Sequence, residues 1–363
     1  MDLIVGLRKY DVEVLVCLPK MGLFTDVLTS NNVDYIIEEF TPYCIKIPRL
    51  IDLVNIRYLF HFFRRVYKYR RFNNQCLEEV SRRIEAFKPD LLYSNTSVIN
   101  IGFLVSRKLG IPHVWHLREF GRKDHKLINV YGRKRIRQQM NNSEVLIGIS
   151  KSISEHYAKI YGINVKTVYN GLLKGPVVKP NIRKSDKPET IFGFMGSLSI
   201  GKNPIEAIEA FKIVQKSYPF IKLKVAGKGA ELKRLKEYCF ENKIENVVFL
   251  GYLKNTEDFY QNIDILLMCS KHEGLGRVTI EAMSYGKPVI GYNNAGTAEI
   301  IIQSKTGILY DGAAKSLADK MLFMHKNIDK RQEMGLSAQK DVYKRFETDS
   351  YCWEIFQLIK KSV

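Results

Sequence analysis

Cysteine is scarce in this sequence, and its placement predicts neither a disulfide framework nor a metal site. The six cysteines are scattered, without a Cys-x-x-Cys pair or a Cys/His pair at ligand spacing. Scattered single thiols are typical of reduced cysteines in a cytoplasmic protein. There is also no Asp-x-Asp motif and no cluster of His, Asp and Glu at metal-ligand spacing. We therefore expect a protein that works without a bound metal ion.

Long apolar runs are missing as well. No stretch reaches the roughly 18–20 consecutive apolar residues that a membrane-spanning helix requires. Hydrophobic residues make up 45% of the chain and charged residues 26%, as in an ordinary globular protein. A chain of 363 residues exceeds what one hydrophobic core usually sustains, so the length predicts two domains.

Acidic residues are in deficit, chiefly in the first half of the chain. The net charge is +19, and residues 1–180 carry 29 Lys and Arg against 16 Asp and Glu. The basic excess concentrates in 51–72, which also contains many aromatic residues, and in 121–137. Such segments attract the phosphates of nucleic acids, anionic lipids or phosphorylated substrates. The alternative is an ordinary solvated basic face, with 51–72 as a surface helix that covers a sheet.

Short apolar runs alternate with longer helical patterns along the chain. The runs are continuous rather than alternating, which is typical of strands that are buried on both faces of a parallel sheet. This order of elements predicts an α/β fold with two doubly wound parallel-sheet domains that face a cleft. The Pro- and Lys-rich segment 173–189 is predicted to link a first domain, 1–172, to a second domain, 190–338. The predicted strands are 12–18, 90–95, 113–117, 145–150, 190–196, 223–227, 247–251, 264–270 and 288–292.

The first residues depart from the usual beginning of a doubly wound domain. Leu3, Ile4 and Leu7 have the spacing of the last turns of a helix, and the strand 12–18 follows directly. Such a domain ordinarily opens with a strand and a Gly-rich turn before that helix. Because the first strand normally lies centrally, its loss would expose backbone donors and acceptors on two neighbouring strands. We therefore expect that a strand and a glycine turn once preceded Met1.

The stretch HEGLGRVTIEAMSYGKPVIG, residues 272–291, has the pattern of a binding site for a sugar linked to a phosphate. Gly274 and Gly276 permit tight backbone geometry after a strand, and a helix begins beside them. The N-terminus of that helix favours an anion, whereas Glu273 and Glu281 can accept hydrogen bonds from flanking hydroxyls. Gly286 and Pro288 predict the end of the helix.

This arrangement resembles the E-x7-E signature of the GT-B glycosyltransferases, particularly retaining family 4. Further segments match the same family in order, including 193–211, 223–235, 247–253, 293–301 and 306–310. The resemblance extends from Asp11 to the end of the chain. It implies two Rossmann-like domains, a nucleotide-sugar donor linked to UDP or GDP, and a C-terminal helix, 339–363, that returns to the first domain. Retention of anomeric configuration follows from the resemblance alone.

The resemblance also implies roles for individual residues. Glu273 would accept from hydroxyls of the donor sugar and Glu281 from those of the ribose, while Lys202 would neutralise the diphosphate. Ser197 stands where the family often has an arginine, so phosphate binding depends more on Lys202. His116 would lie near donor and acceptor and orient a hydroxyl or accept a proton; its alternative is a histidine packed beside Trp115. The remaining donor-binding residues would be Gly196, Gly227, Lys228, Gly251, Tyr252, Gly274, Leu275, Gly276 and Arg277.

The expected reaction is transfer of a sugar to an acceptor hydroxyl, with a lipid-linked saccharide of cell-surface polysaccharide assembly as the acceptor. The enzyme would be cytoplasmic and peripheral at the inner face of the membrane, with 51–72 and 121–137 against anionic lipid. The alternatives are a sugar-nucleotide epimerase or phosphorylase on the same scaffold, or an inactive remnant that lacks its first strand. A basic nucleic-acid-binding protein is a rival of another class, although we expect no nucleic acid partner.

Overall fold

The computed structural model describes residues 1–46, 56–175, 177, 179 and 189–363. The chain forms two compact units, Met1–Gly171 with Thr348–Val363 and Leu172–Glu347. Most of the predicted linker 173–189, and residues 51–55 of the basic segment, lie outside the described residues. No helix in the described part of the chain is both long enough and apolar enough to span a bilayer.

The first unit contains short parallel strands covered by helices. β1 pairs with β2, and β4, β5, β7 and β8 form a separate parallel sheet in that order, while β3 and β6 pair antiparallel. Its elements are α1 (Asp2–Leu7), a 3-10 turn (Arg8–Tyr10), β1 (Val16–Leu18), α2 (Leu23–Ser30), β2 (Tyr35–Ile37), β3 (Cys44–Lys46), α3 (Ile56–Glu85), β4 (Leu92–Ser94), α4 (Ile101–Leu109), β5 (His113–Leu117), α5 (Arg122–His125), β6 (Leu127–Asn129), α6 (Arg133–Asn141), β7 (Val145–Gly148), α7 (Lys151–Tyr161) and β8 (Lys166–Thr167).

The beginning of the chain is helical, as the spacing of Leu3, Ile4 and Leu7 predicts. Within the described residues, β1 has β2 as its single strand neighbour and β4 has β5. Cys17 of β1 and Leu92 of β4 nevertheless pack on one apolar cluster with Val80 and Ile84 of α3. The two sheets therefore pack on the same helix, α3, and their described strands share no hydrogen-bonded edge.

The second unit has one sheet of six parallel strands in the order β11-β10-β9-β12-β13-β14. The direction of strand addition reverses between β9 and β12, and ligands of open α/β sheets bind at the carboxyl ends of strands at such a reversal. Its elements are β9 (Ile191–Met195), α8 (Pro204–Gln215), β10 (Lys222–Ala226), α9 (Leu232–Glu241), β11 (Val247–Gly251), α10 (Glu257–Gln261), β12 (Ile265–Met268), α11 (Arg277–Ser284), β13 (Val289–Tyr292), α12 (Ala295–Ile300), β14 (Gly307–Tyr310), α13 (Ala314–Lys326) and α14 (Ile328–Arg345).

All nine predicted strands are present, and β5 and β11 have the predicted bounds. The continuous apolar runs are buried on both faces where the pattern requires it: every residue of β5 and β12 is buried. The edge strand β11 instead alternates between half-buried and exposed residues. The strands that the sequence pattern missed are mostly two or three residues long, too short to show a period.

The C-terminal segment returns to the first unit at Thr348 rather than at 339. Residues up to Arg345 continue α14, and the Arg345 guanidinium donates to the carbonyl oxygens of Glu299 and Ile300 in the second unit. The helix α15 (Thr348–Lys360) then buries Ile355 in an apolar cluster with Leu7 and Val114 of the first unit.

Candidate active site

The site predicted around Glu273 lies in the second unit, at the carboxyl ends of β9 and β12. The loop after β12 leads into α11, which starts at Arg277 and ends at Ser284, as the pattern around Gly276 and Gly286 predicts. Gly286 has a φ of 70°, and the amide of Lys287 donates to the carbonyl of Ala282 over 3.1 Å. The left-handed glycine thus ends the helix and turns the chain into β13.

Lys202 and Glu273 form an ion pair across the two strands. The Lys202 Nζ atom donates to Oε1 of Glu273. The side chain of Glu273 is 10% exposed and that of Lys202 is 38% exposed, so the carboxylate is the more enclosed partner. Two further hydrogen bonds hold the loops that carry this pair. Ser270 Oγ donates to the carbonyl oxygen of Gly201, and the amide of Gly296 donates to the carbonyl oxygen of Glu273. The sequence separates the pair by 71 positions, and the sheet brings it together.

Glu281 is held in place by two side chains. The Tyr260 hydroxyl donates to its Oε2 atom over 2.8 Å, and Arg277 Nε donates to its Oε1 atom over 2.8 Å. Tyr260 is fully buried, and this burial raises the pKa of its hydroxyl far above the usual value, so the group remains a donor. Arg277, by contrast, is 76% exposed. The carboxylate of Glu281 therefore has a fixed rotamer before any ligand binds.

The glycine turns at the ends of β9, β10 and β11 are bonded to one another. The amide of Gly196 donates to the carbonyl of Ala226, and the amide of Gly227 donates to that of Gly251 over 2.7 Å. Gly227 has a φ of 140°, and a Cβ atom on it would overlap with the carbonyl oxygen of Gly196. Only glycine permits this close approach, which places the three predicted turns side by side.

A pocket opens between these turns and the start of α11. The Lys202–Glu273 pair contributes a positive and a negative charge to its wall. The pocket residues Met195 and Arg277 contact Tyr260 and Glu281 respectively. Glu273 thus lines the pocket, and Glu281 is bonded to the lining residue Arg277. The lining residues are Phe194, Met195, Gly196, Lys202, Met268, Glu273, Arg277 and Val278.

Other predicted donor-binding residues surround the pocket without lining it. Lys228 places its ammonium group 4.9 Å from the ring centroid of Tyr252, which is 68% exposed at the end of β11. Ser197 Oγ lies 3.1 Å from Ser199 Oγ. Leu275 is buried, and the backbone of Gly274 and Leu275 packs closely against Gly296 of α12.

His116, predicted to lie near donor and acceptor or to pack beside Trp115, is a buried residue. It is fully buried in β5 of the first unit, and its Nδ1 atom lies 2.7 Å from the Tyr93 hydroxyl. Burial lowers the pKa of His116 to about 3, so the ring is neutral at pH 7. Within the described residues its Nε2 atom has no hydrogen-bond partner. These contacts fit the packed alternative, and the contact of His116 with donor and acceptor stays a prediction.

Sequence reasoning missed Tyr260 entirely. It lies in α10, nine positions beyond the end of β11 by way of the Gly251–Tyr252 loop, and no local pattern distinguishes it from a core aromatic. Tyr260 and Glu281 lie 21 positions apart in the sequence, and the fold brings their side chains within hydrogen-bonding distance. In the described part of the chain, no group of three or more His, Cys, Asp or Glu residues is arranged to hold a metal ion.

Comparison with known families accounts for nearly the whole chain. The family model for glycosyl transferases group 1 matches residues 178–341, and the model for glycosyltransferase family 4 matches residues 2–172. The two matches correspond closely to the two compact units. They identify the second unit with the group 1 family and the first unit with family 4.

Individual relatives are glycosyltransferases as well. An uncharacterised glycosyltransferase of Methanocaldococcus jannaschii is 27% identical over 72% of this chain and 73% of that protein. The capsular polysaccharide biosynthesis glycosyltransferase CapM of Staphylococcus aureus is 28% identical over 45% of this chain and 44% of its own length. The crystal structure of Anabaena HepE in complex with UDP aligns with a TM-score of 0.78 at 20% identity, covering 99% of this chain and 95% of HepE. The chain therefore belongs to the family 4, group 1 glycosyltransferases and has the GT-B fold.

Proposed function

We propose that this glycosyltransferase uses a nucleoside diphosphate sugar, linked to UDP or GDP, and transfers the sugar to an acceptor hydroxyl with retention and without a metal ion or other cofactor. Lys202, the Gly196–Ser197 turn and the first turn of α11 would bind the diphosphate. Glu273 would accept from hydroxyls of the sugar, and Glu281 from those of the ribose.

The observation that supports this proposal is the ion pair between Lys202 and Glu273. It places a cation and a carboxylate at one point of a pocket at the strand reversal. A sugar diphosphate offers a suitable partner to each, because its phosphates accept from the ammonium group and its hydroxyls donate to the carboxylate. Donor binding would thus replace the one bond between Lys202 and Glu273 by two hydrogen bonds to charged groups.

The proposed step replaces one bond at the anomeric carbon by another on the same face. The acceptor oxygen forms its bond to that carbon as the bond to the phosphate oxygen breaks, and the hydroxyl proton passes to the departing phosphate. Lys202 and the N-terminus of α11 would stabilise the charge that develops on the leaving diphosphate. No carboxylate of the site is assigned as a nucleophile.

The acceptor we propose is a lipid-linked saccharide in cell-surface polysaccharide assembly. The likeness to the capsular polysaccharide glycosyltransferase CapM supports this class of pathway. The basic segments 51–72 and 121–137 suit an enzyme that meets its acceptor at the inner face of an anionic membrane.

Thermal-shift titration with UDP, GDP and their sugar conjugates tests the donor. We expect one nucleotide series to stabilise the protein. Lys202→Ala should weaken its affinity by roughly 10- to 100-fold, since a hydrogen bond to a charged group contributes about 1.5–3 kcal/mol. Lys233→Ala is the matched control, because Lys233 pairs with Glu237 on the surface of the same unit. Equal affinities in the two variants would contradict the assignment.

Donor turnover with and without extracts of lipid-linked saccharide tests the reaction. A glycosyltransferase should release the nucleoside diphosphate much faster when the acceptor is present. An epimerase or phosphorylase would instead convert the donor at a rate that the acceptor leaves unchanged. Product analysis should show the anomeric configuration of the donor retained, and activity should persist in excess EDTA.

A further inference from the structure

The two halves of α3 lie in different environments. The C-terminal half is part of a core cluster, in which Val80 and Ile84 pack with Leu92 and Val105. The N-terminal half instead has four large apolar side chains directed away from the protein. They are Ile56 at 81% exposure, Phe60 at 67%, Phe63 at 65% and Tyr67 at 63%.

These four residues form one stripe. Their spacing of four, three and four positions places them, at about 100° per residue, within an arc of about 60° on the helix surface. Another face carries the half-buried residues Leu59, Phe62 and Val66, so the helix already has apolar residues for packing on its own unit. The exposed stripe is therefore a second apolar surface, which the described residues of this unit leave uncovered.

Basic side chains lie along one flank of the stripe. Arg57, Arg64, Lys68 and Arg71 are all exposed, and the same projection places them in an adjacent arc of about 60°. No Asp or Glu occurs between Ile56 and Leu77. An apolar stripe beside a purely basic flank matches a surface that is anionic outside and apolar a few ångströms deeper, which is the layering of an anionic bilayer.

We propose that the first four turns of α3 bind an anionic membrane surface, with the apolar stripe inserted at the level of the headgroups and the basic flank on lipid phosphates. The basic segment 121–137 has a different character. Its described residues include no large apolar side chain that is exposed, and Arg133 and Arg135 contact Ile160 and Tyr131 of the same unit. It would add electrostatic attraction, whereas α3 inserts. This inference deepens the proposed use of a lipid-linked acceptor but does not depend on the donor site.

Flotation with vesicles of phosphatidylcholine containing about one third phosphatidylglycerol tests the inference, with pure phosphatidylcholine vesicles as the neutral arm. The protein should float with the anionic vesicles and lose at least tenfold in binding to the neutral ones. The variant Phe60→Ser/Phe63→Ser/Tyr67→Ser should lose at least tenfold on anionic vesicles. The control Phe220→Ser/Phe240→Ser, which removes two exposed aromatic rings from the second unit, should bind like the parent.

The charged flank has its own variant. Arg64→Gln/Lys68→Gln/Arg71→Gln should weaken binding to anionic vesicles and flatten its dependence on salt. Nucleotide stabilisation should be unchanged in every variant, which separates failure of this inference from failure of the donor assignment. Unchanged fluorescence of Trp115 and Trp353, which both lie in the first unit, shows that this unit folds in the variants. Undiminished flotation of the stripe variant, or absence of flotation of the parent, would overturn the proposal. So would a parent that is dimeric by light scattering and becomes monomeric in the stripe variant, because the stripe would then bind a second copy of the chain.

Discussion

The Tyr260 hydroxyl donates a hydrogen bond of 2.8 Å to Glu281, and the two side chains come from helices on opposite sides of β12 in the chain. Arg277 bonds the other carboxylate oxygen from the exposed side. Hydrogen bonds from one buried donor and one exposed donor hold the carboxylate in a single orientation. Because the group is already ordered, binding a ligand costs it little conformational entropy. Tyr260 is thus a positioning residue for the group that we propose to bind ribose.

Removal of this hydroxyl should affect recognition of the ribose selectively. For Tyr260→Phe we expect the affinity for the preferred nucleoside diphosphate to fall by roughly 3- to 10-fold, since one hydrogen bond contributes about 0.5–1.5 kcal/mol. The affinity for its 2′,3′-dideoxy analogue should hardly change, because that ligand offers Glu281 no hydroxyl. Isothermal titration of both ligands measures the two affinities.

The control for this prediction is Tyr285→Phe. The ring of Tyr285 stacks on that of Tyr260 with centroids 5.4 Å apart, so the variant keeps the packing and the bond to Glu281. Its ratio of ribose to dideoxy affinity should equal that of the parent. A Tyr260→Phe protein that weakens both ligands equally would show a structural role alone.

Gly227→Ala should destabilise the second unit and abolish nucleotide binding. The new methyl group would overlap with the Gly196 carbonyl oxygen, at a φ of 140° that side chains rarely adopt. We expect a loss of about 4 kcal/mol or more in the free energy of unfolding. Gly312→Ala is the control that has backbone strain without steric overlap. Gly312 has a φ of 90°, but no atom lies within 4 Å of the added Cβ. The Gly312→Ala protein should lose about 1–3 kcal/mol of unfolding free energy and keep its affinity for the nucleotide. Urea unfolding followed by circular dichroism compares the two.

Acid should destabilise the first unit through two buried histidines. Burial lowers the pKa values of both His113 and His116 to about 3, against 6.5 in the unfolded chain. Because the unfolded state binds protons first, stability is complete above pH 6.5 and falls as the pH drops toward 3. Each histidine should remove about 2 kcal/mol between pH 7 and pH 5.

Tryptophan fluorescence reports this effect, since both tryptophans, Trp115 and Trp353, lie in the first unit. The urea midpoint of His116→Gln should depend less on pH than that of the parent, because only one of the two buried histidines remains. A parent whose midpoint is constant from pH 7 to pH 5 would contradict the prediction.

The returning helix α15 should be essential to the first unit. Ile355 is fully buried in a cluster with Leu7, Val114 and Ile147. Ile355→Ala should cost about 2–5 kcal/mol of unfolding free energy. The exposed neighbour Glu354→Ala should stay within about 0.5 kcal/mol of the parent. The same fluorescence measurement applies, and similar midpoints for the two variants would show that α15 is not part of this core.

The sequence by itself determined nine of the strands, the end of α11 and the family of the site. Continuous apolar runs such as HVWHL predict buried strands, and Gly286 before Pro288 predicts the end of α11, because both signals depend on a few neighbouring residues. The E-x7-E spacing likewise places Glu273 on the loop and Glu281 in the helix. Such features follow from backbone geometry and local burial, which a linear pattern records.

The tertiary structure alone decided which distant residues meet. Lys202 reaches Glu273, 71 positions away, because β9 and β12 are neighbours, and Tyr260 reaches Glu281 across 21 positions. The burial of His116 and the return of the chain at Thr348 follow from how helices cover the sheets. These outcomes depend on strand order and packing between segments far apart in the chain, and a local pattern holds no information on either.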